Sequence, residues 1–79
     1  MIKVLFFGPV ADLIGRRTIE VEHRTGMRLQ ELRDELYAKY PEAFGLVAMT
    51  AVDGMQVRDM VRTLDDGSEV AFMSKFSGG

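Results

Sequence analysis

Apolar and polar positions alternate from the first residues of the chain. Ile2, Val4 and Phe6 form one row and Leu5 and Phe7 a second, with Lys3 as the polar break. That period of two, in β-forming residues, predicts a strand over Ile2–Phe7. The segment Pro9–Gly15 interrupts it and has room for one helical turn, with Gly15 as a stop. Thr18–Glu22 alternates cleanly, which points Ile19 and Val21 inward and Thr18, Glu20 and Glu22 to water. The period then changes. Leu29, Leu32, Leu36, Tyr37 and Tyr40 fall on one helix face, while Gln30, Glu31, Arg33, Asp34, Glu35 and Lys39 fill the other. Acidic Glu31 near the start and Lys39 near the end suit the helix dipole. Pro41 ends the helix at about Tyr40, and Thr25 is the expected N-cap, without a capping box.

After an expected loop over Pro41–Gly45, Val47–Val52 reads as a strand. Asp53-Gly54 is a turn signal, Met55–Val57 a short return strand, and Leu64–Gly67 a second turn. Glu69–Met73 is the last strand, with Val70 and Phe72 on one face and Ala71 and Met73 on the other. Residues 74–79 then run off as a flexible tail. This order predicts one domain over residues 1–79, of class α+β: a mixed sheet of about four to five strands with one main helix packed on one face. One helix covers one face of a sheet. The first strand is apolar on both sides, so its second row, with Phe7, and the Met73 row of the last strand require a cover. A domain of this size has few loops to spare, so the preferred cover is a partner.

Composition narrows the chemistry. The chain has 79 residues, 47% of them hydrophobic and 28% charged, with a formal net charge of −2. A balance of 10 basic and 12 acidic residues gives no footprint for nucleic acid. No apolar run approaches the roughly 20 residues that span a membrane, and the opening strand lacks the parts of a signal peptide, so a cytoplasmic location is expected. There is no cysteine, which removes disulfides, thiol nucleophiles and thiolate-held metals. The single histidine, His23, lies in a polar stretch and is expected to be solvated.

The sequence closes on Gly78-Gly79. Two glycines add backbone entropy and bury nothing, so they contribute no stability. A segment without side chains does suit one task, threading a narrow channel to present a carboxylate to another protein. From Ser74 to Gly79 an extended chain reaches about 20 Å at ~3.3 Å per residue.

These residues together carry a resemblance. The opening Met1–Phe7, Ala51-Val52-Asp53-Gly54, Leu64–Phe72 and the closing Ser77-Gly78-Gly79 resemble the family of ubiquitin-like sulfur carriers. That family includes the small subunit of molybdopterin synthase and the shorter thiamine-pathway carrier, and the length of this chain suits the former. The resemblance implies a β-grasp fold with first and last strands as parallel neighbours. It implies that an E1-like adenylating enzyme, using ATP and magnesium, activates the carboxylate of Gly79, with Gly78 threading the channel. A sulfur donor enzyme then yields a Gly79 thiocarboxylate, and the molybdopterin synthase large subunit receives the sulfur to build a dithiolene. No cofactor is expected on the chain itself. The resemblance further implies partner contacts at Phe7, Val57 and Met73, of which alternation alone already places Phe7 and Met73 on the uncovered rows; Phe76, in the tail, is a further expected contact. Where the family usually carries two prolines before the tail, this chain has Ser74-Lys75, and Asp53 stands where asparagine is common. Sulfur delivery to another pathway, conjugation of Gly79 to other proteins, and a plain interaction module remain the alternatives.

Overall fold

The computed structural model describes residues 1–75, so Phe76, Gly78 and Gly79 lie outside the described residues. Strand β1 (Ile2–Phe6) leads into helix α1 (Gly8–Ile14) and strand β2 (Thr18–Val21). Helices α2 (Leu29–Lys39) and α3 (Pro41–Phe44) follow, then β3 (Val47–Val52), β4 (Met55–Val57) and β5 (Glu69–Ser74). The five strands form one mixed sheet in the order β2-β1-β5-β3-β4. β1 and β5 run parallel at its centre, as expected, and the other pairs are antiparallel. This sheet with helices on one face is the ubiquitin-like β-grasp.

The core is the row each strand turns toward the helices. Ile2, Val4 and Phe6 of β1, Val70 and Phe72 of β5 and Val52 of β3 pack with Leu29, Leu32 and Leu36 of α2. Ile19 and Val21 stand opposite Val4 and Ile2 and are partly buried against the same core. At the edge, Asp53 (φ 50°) and Gly54 (φ 83°) both adopt positive φ, the geometry of a two-residue hairpin between β3 and β4. The Asp53 carboxylate accepts from the Glu69 N–H at 2.9 Å, and the Asp53 N–H donates to the Glu69 carbonyl at 2.8 Å. The hairpin is thereby tied to the start of β5. The Met1 ammonium pairs with Asp66. Its hydrogen bond and charge hold the Asp66 carboxyl below the usual aspartate range.

Several expectations are corrected. Pro41–Phe44 is a helix, not a loop, because a proline that ends one helix also fits the first position of the next, where no N–H is needed. α3 delivers Phe44 into the core, 4.9 Å from Phe72 and 6.2 Å from Phe6 between ring centroids. α2 therefore has two companions: α1 packs against α3 and β5. Tyr37 does not join the buried stripe; it is 42% exposed, with the Arg33 guanidinium 5.9 Å from its ring. Thr25 is not the N-cap. α2 starts after Arg28, whose N–H donates to the Glu31 carboxylate at 3.0 Å. The N–H groups of Leu29 and Gln30 donate to the carbonyls of Arg62 and Met60, so the segment before β5 satisfies the helix end. His23 is not freely solvated: it is half-buried and its Nε2 donates to the Leu64 carbonyl at 2.8 Å. Ser74 belongs to β5 and is buried, so it is not part of a tail.

Candidate functional site: the open face of the sheet

The strand registers build the face turned away from the helices. Residues directly opposite each other in a sheet share a face. Glu20, Lys3 and Glu69 form one cross-strand row. Thr18, Leu5, Ala71, Ala51 and Gln56 form the next, and Met73 and Met49 the third. Beyond β1, Phe7 stays extended, and its N–H donates to the Phe72 carbonyl at 3.3 Å. It continues the Leu5 row and is 43% exposed. The face is thus graded: charged where β1 and β5 begin, apolar where they end. Parallel pairing of β1 and β5 is what brings Phe7, Met73 and the chain leaving Lys75 to one end. Beside Phe7 lies an open hollow of about 390 Å³ bordered by Leu5, Ala11, Asp12, Arg17 and Thr18.

A β-bulge shapes this end. Val47 stands opposite Ser74 and Met49 opposite Met73, so Ala48 is an extra residue on β3. Strict alternation from buried Thr50 would point Val47 outward. The bulge turns it onto the core instead and leaves Met49 on the open face. No signal in the sequence marks the bulge.

Phe7 and Met73 therefore meet on one surface. Val57 lies apart from Phe7 but lines an open hollow with Met49, Arg58 and Lys75. It pairs with Thr50, on the helix-side face, and packs partly against the core. The sequence reading missed Met49, whose partner Met73 becomes evident only with the β3–β5 register. Among the described residues, no group of three or more His, Cys, Asp or Glu side chains is close enough to hold a metal ion. His23 is engaged with the Leu64 carbonyl, away from this face. What the described residues present on this face is an exposed apolar end, next to the point where β5 ends at Ser74. No helix among them is long and apolar enough to cross a membrane.

The comparisons with known proteins fit this arrangement. A Caenorhabditis briggsae molybdopterin synthase sulfur carrier subunit is 36% identical over 81 residues, covering 99% of this chain and 96% of the relative. In structure, the chain is similar to Haloferax volcanii small archaeal modifier protein 1, with a TM-score of 0.77 at 17% identity, over 92% of this chain and 94% of the other. It is also similar to a chain of the complex of subunits 1 and 2 of the molybdopterin-converting factor from Helicobacter pylori. There the TM-score is 0.75 at 24% identity, over 99% of this chain and 97% of the other. The sequence pattern of the ThiS family matches residues 4–79, from the second buried position of β1, across all five strands, to the final glycine, and the chain belongs to that family.

Proposed function

We propose that this chain is a sulfur carrier for molybdopterin synthesis, loaded and unloaded at the carboxylate of Gly79. The observation that carries the reading is the apolar end of the open face, with Phe7 and Met73, at the point where β5 hands the chain on toward Gly78-Gly79. The name of the Caenorhabditis relative and the Helicobacter complex of subunits 1 and 2 support it. In this reading the face docks first on an E1-like adenylating enzyme and then on the large synthase subunit. Docking near the departing chain lets a glycine end, which has no side chains to crowd a channel, enter a partner's active site.

The chemistry follows from the leaving group. A carboxylate is a poor acyl donor because its oxygen leaves badly. The activating enzyme, with ATP and magnesium, joins it to AMP and releases pyrophosphate. A sulfur nucleophile from a donor enzyme then displaces AMP and leaves a thiocarboxylate on Gly79. That group stores nucleophilic sulfur on a chain with no cysteine, and the large subunit consumes it in building the dithiolene. Phe7 and Met73 are contact residues in both complexes. Phe76 is a further contact close to the glycines. Val57, which lines an open hollow with Met49 at the β4 edge, is also a contact.

The test is the intact mass after incubation with the activating enzyme, ATP and a sulfur donor. Exchange of OH for SH makes the chain about 16 Da heavier. A chain lacking Gly79 has its carboxylate set back by roughly 3.3 Å and gains no mass. Full sulfur transfer by that truncated chain would overturn the proposal. A second reading, conjugation of Gly79 to lysines of other proteins, draws on the likeness to the archaeal modifier protein. It predicts higher-mass conjugates in cells that disappear with Gly79→Ala.

A further inference from the structure

We propose that Met49 and Met73 are a paired oxidation site, at which peroxide converts both thioethers to sulfoxides and so disables docking of the open face. The docking half rests on the carrier function proposed above. Two observations carry the site. The β3–β5 register sets Met49 directly opposite Met73, and both side chains are partly exposed on the outward face. The chain has six methionines and no cysteine, so before Gly79 is loaded its thioethers are the sulfur atoms open to attack by peroxide. In each reaction the sulfur takes one oxygen from hydrogen peroxide. The O–O bond breaks, an S–O bond forms, the sulfur is oxidised by two electrons and the peroxide is reduced to water.

The consequence depends on position. Met27 is a core residue and is shielded. Met55 is 72% exposed, yet it pairs with Val52 on the helix-side face at the sheet edge, away from Phe7. Oxidation there leaves the open face unchanged. At Met49 and Met73 the sulfoxides put two strong dipoles next to paired Ala51 and Ala71 and to Phe7, with Gln56, Arg58 and Lys75 on the outer side of Met49. A partner that covers this face strips water from those dipoles and offers apolar surface in return, which is unfavourable. The modification is reversible by methionine sulfoxide reductases.

The experiment treats the whole chain with hydrogen peroxide and maps oxidation by peptide mass. It then measures affinity for the large molybdopterin synthase subunit of the same organism, with thermal unfolding in parallel. Expected are sulfoxides at Met49 and Met73, none at Met27, a nearly unchanged melting temperature, and affinity weakened by roughly tenfold or more. The Met49→Leu/Met73→Leu chain, whatever its own starting affinity, loses none of it on the same treatment, whereas Met55→Leu loses affinity like the parent. Reductase treatment restores binding. Unoxidised Met49 and Met73 beside an oxidised Met55 would overturn the site. Equal loss of affinity in the double leucine variant would overturn the switch. An untreated chain that never binds the large subunit sinks the carrier reading and the switch together, while the mass map still decides the oxidation site.

Discussion

At the scale of single residues, exposure separates the side chains that hold the fold from those left open at the surface. Phe7 sits one position past buried Phe6, yet it is 43% exposed and faces outward. Phe7→Asp is therefore expected to keep the melting temperature close to that of the parent. The same change weakens binding to the large synthase subunit by more than about 2 kcal/mol if Phe7 is a hot spot. Calorimetry against that subunit checks the second part, and an unfolded Phe7→Asp would move Phe7 into the core. Asp53 works differently. It takes up a positive φ and accepts a hydrogen bond from the Glu69 N–H. Asp53→Ala loses that bond, worth about 1 kcal/mol, and strains the backbone by a further ~1 kcal/mol. Asparagine tolerates the same φ and keeps an acceptor, so Asp53→Asn is expected to stay within about 0.5 kcal/mol of the parent in urea unfolding.

Among the elements, the four-residue helix α3 has an influence out of proportion to its length. Its Phe44 meets Phe6 and Phe72 edge-on and touches Tyr37 as well. Phe44→Ala removes the centre of that aromatic cluster and is expected to cost about 3–5 kcal/mol. Small domains have only ~5–15 kcal/mol in total, so the variant should be largely unfolded or sharply lowered in melting temperature by circular dichroism. α2 shows how one element depends on another. Its first N–H groups are satisfied by carbonyls of Arg62 and Met60 rather than by a side-chain cap at Thr25. The helix period was legible in the sequence, but its start was not, because the groups that satisfy it lie some thirty residues further on.

For the whole molecule, the governing fact is that β5, last in the chain, is central in the sheet. It pairs with β1 on one side and β3 on the other. A chain ending at Gly67 loses Val70 and Phe72 and splits the sheet into the β2-β1 and β3-β4 pairs. It is expected to be unfolded by circular dichroism. A chain ending at Lys75 retains every core residue, from Ile2 to Phe72, found among the described residues. It should melt within a few degrees of the parent while accepting no sulfur. Stability and carrier function are thereby assigned to different parts of one short chain, and the two truncations separate them.

The sequence alone determined the strands, the main helix and the division of β1 into two apolar rows, because side-chain period follows directly from backbone geometry. The family resemblance supplied the parallel pairing of first and last strands and the expectation that Gly78-Gly79 is the working end. Tertiary structure decided what local period cannot express. Phe44 enters the core because α3 follows α2 across a non-helical Tyr40, at a proline that reads equally as a stop and as a start. Val57 lies on the helix-side face because it pairs with Thr50. Val47 turns inward and Met49 faces Met73 because one extra residue on β3 shifts the register against a strand more than twenty positions later in the chain. Alternation assigns two faces to each strand, but only pairing between strands says which faces coincide.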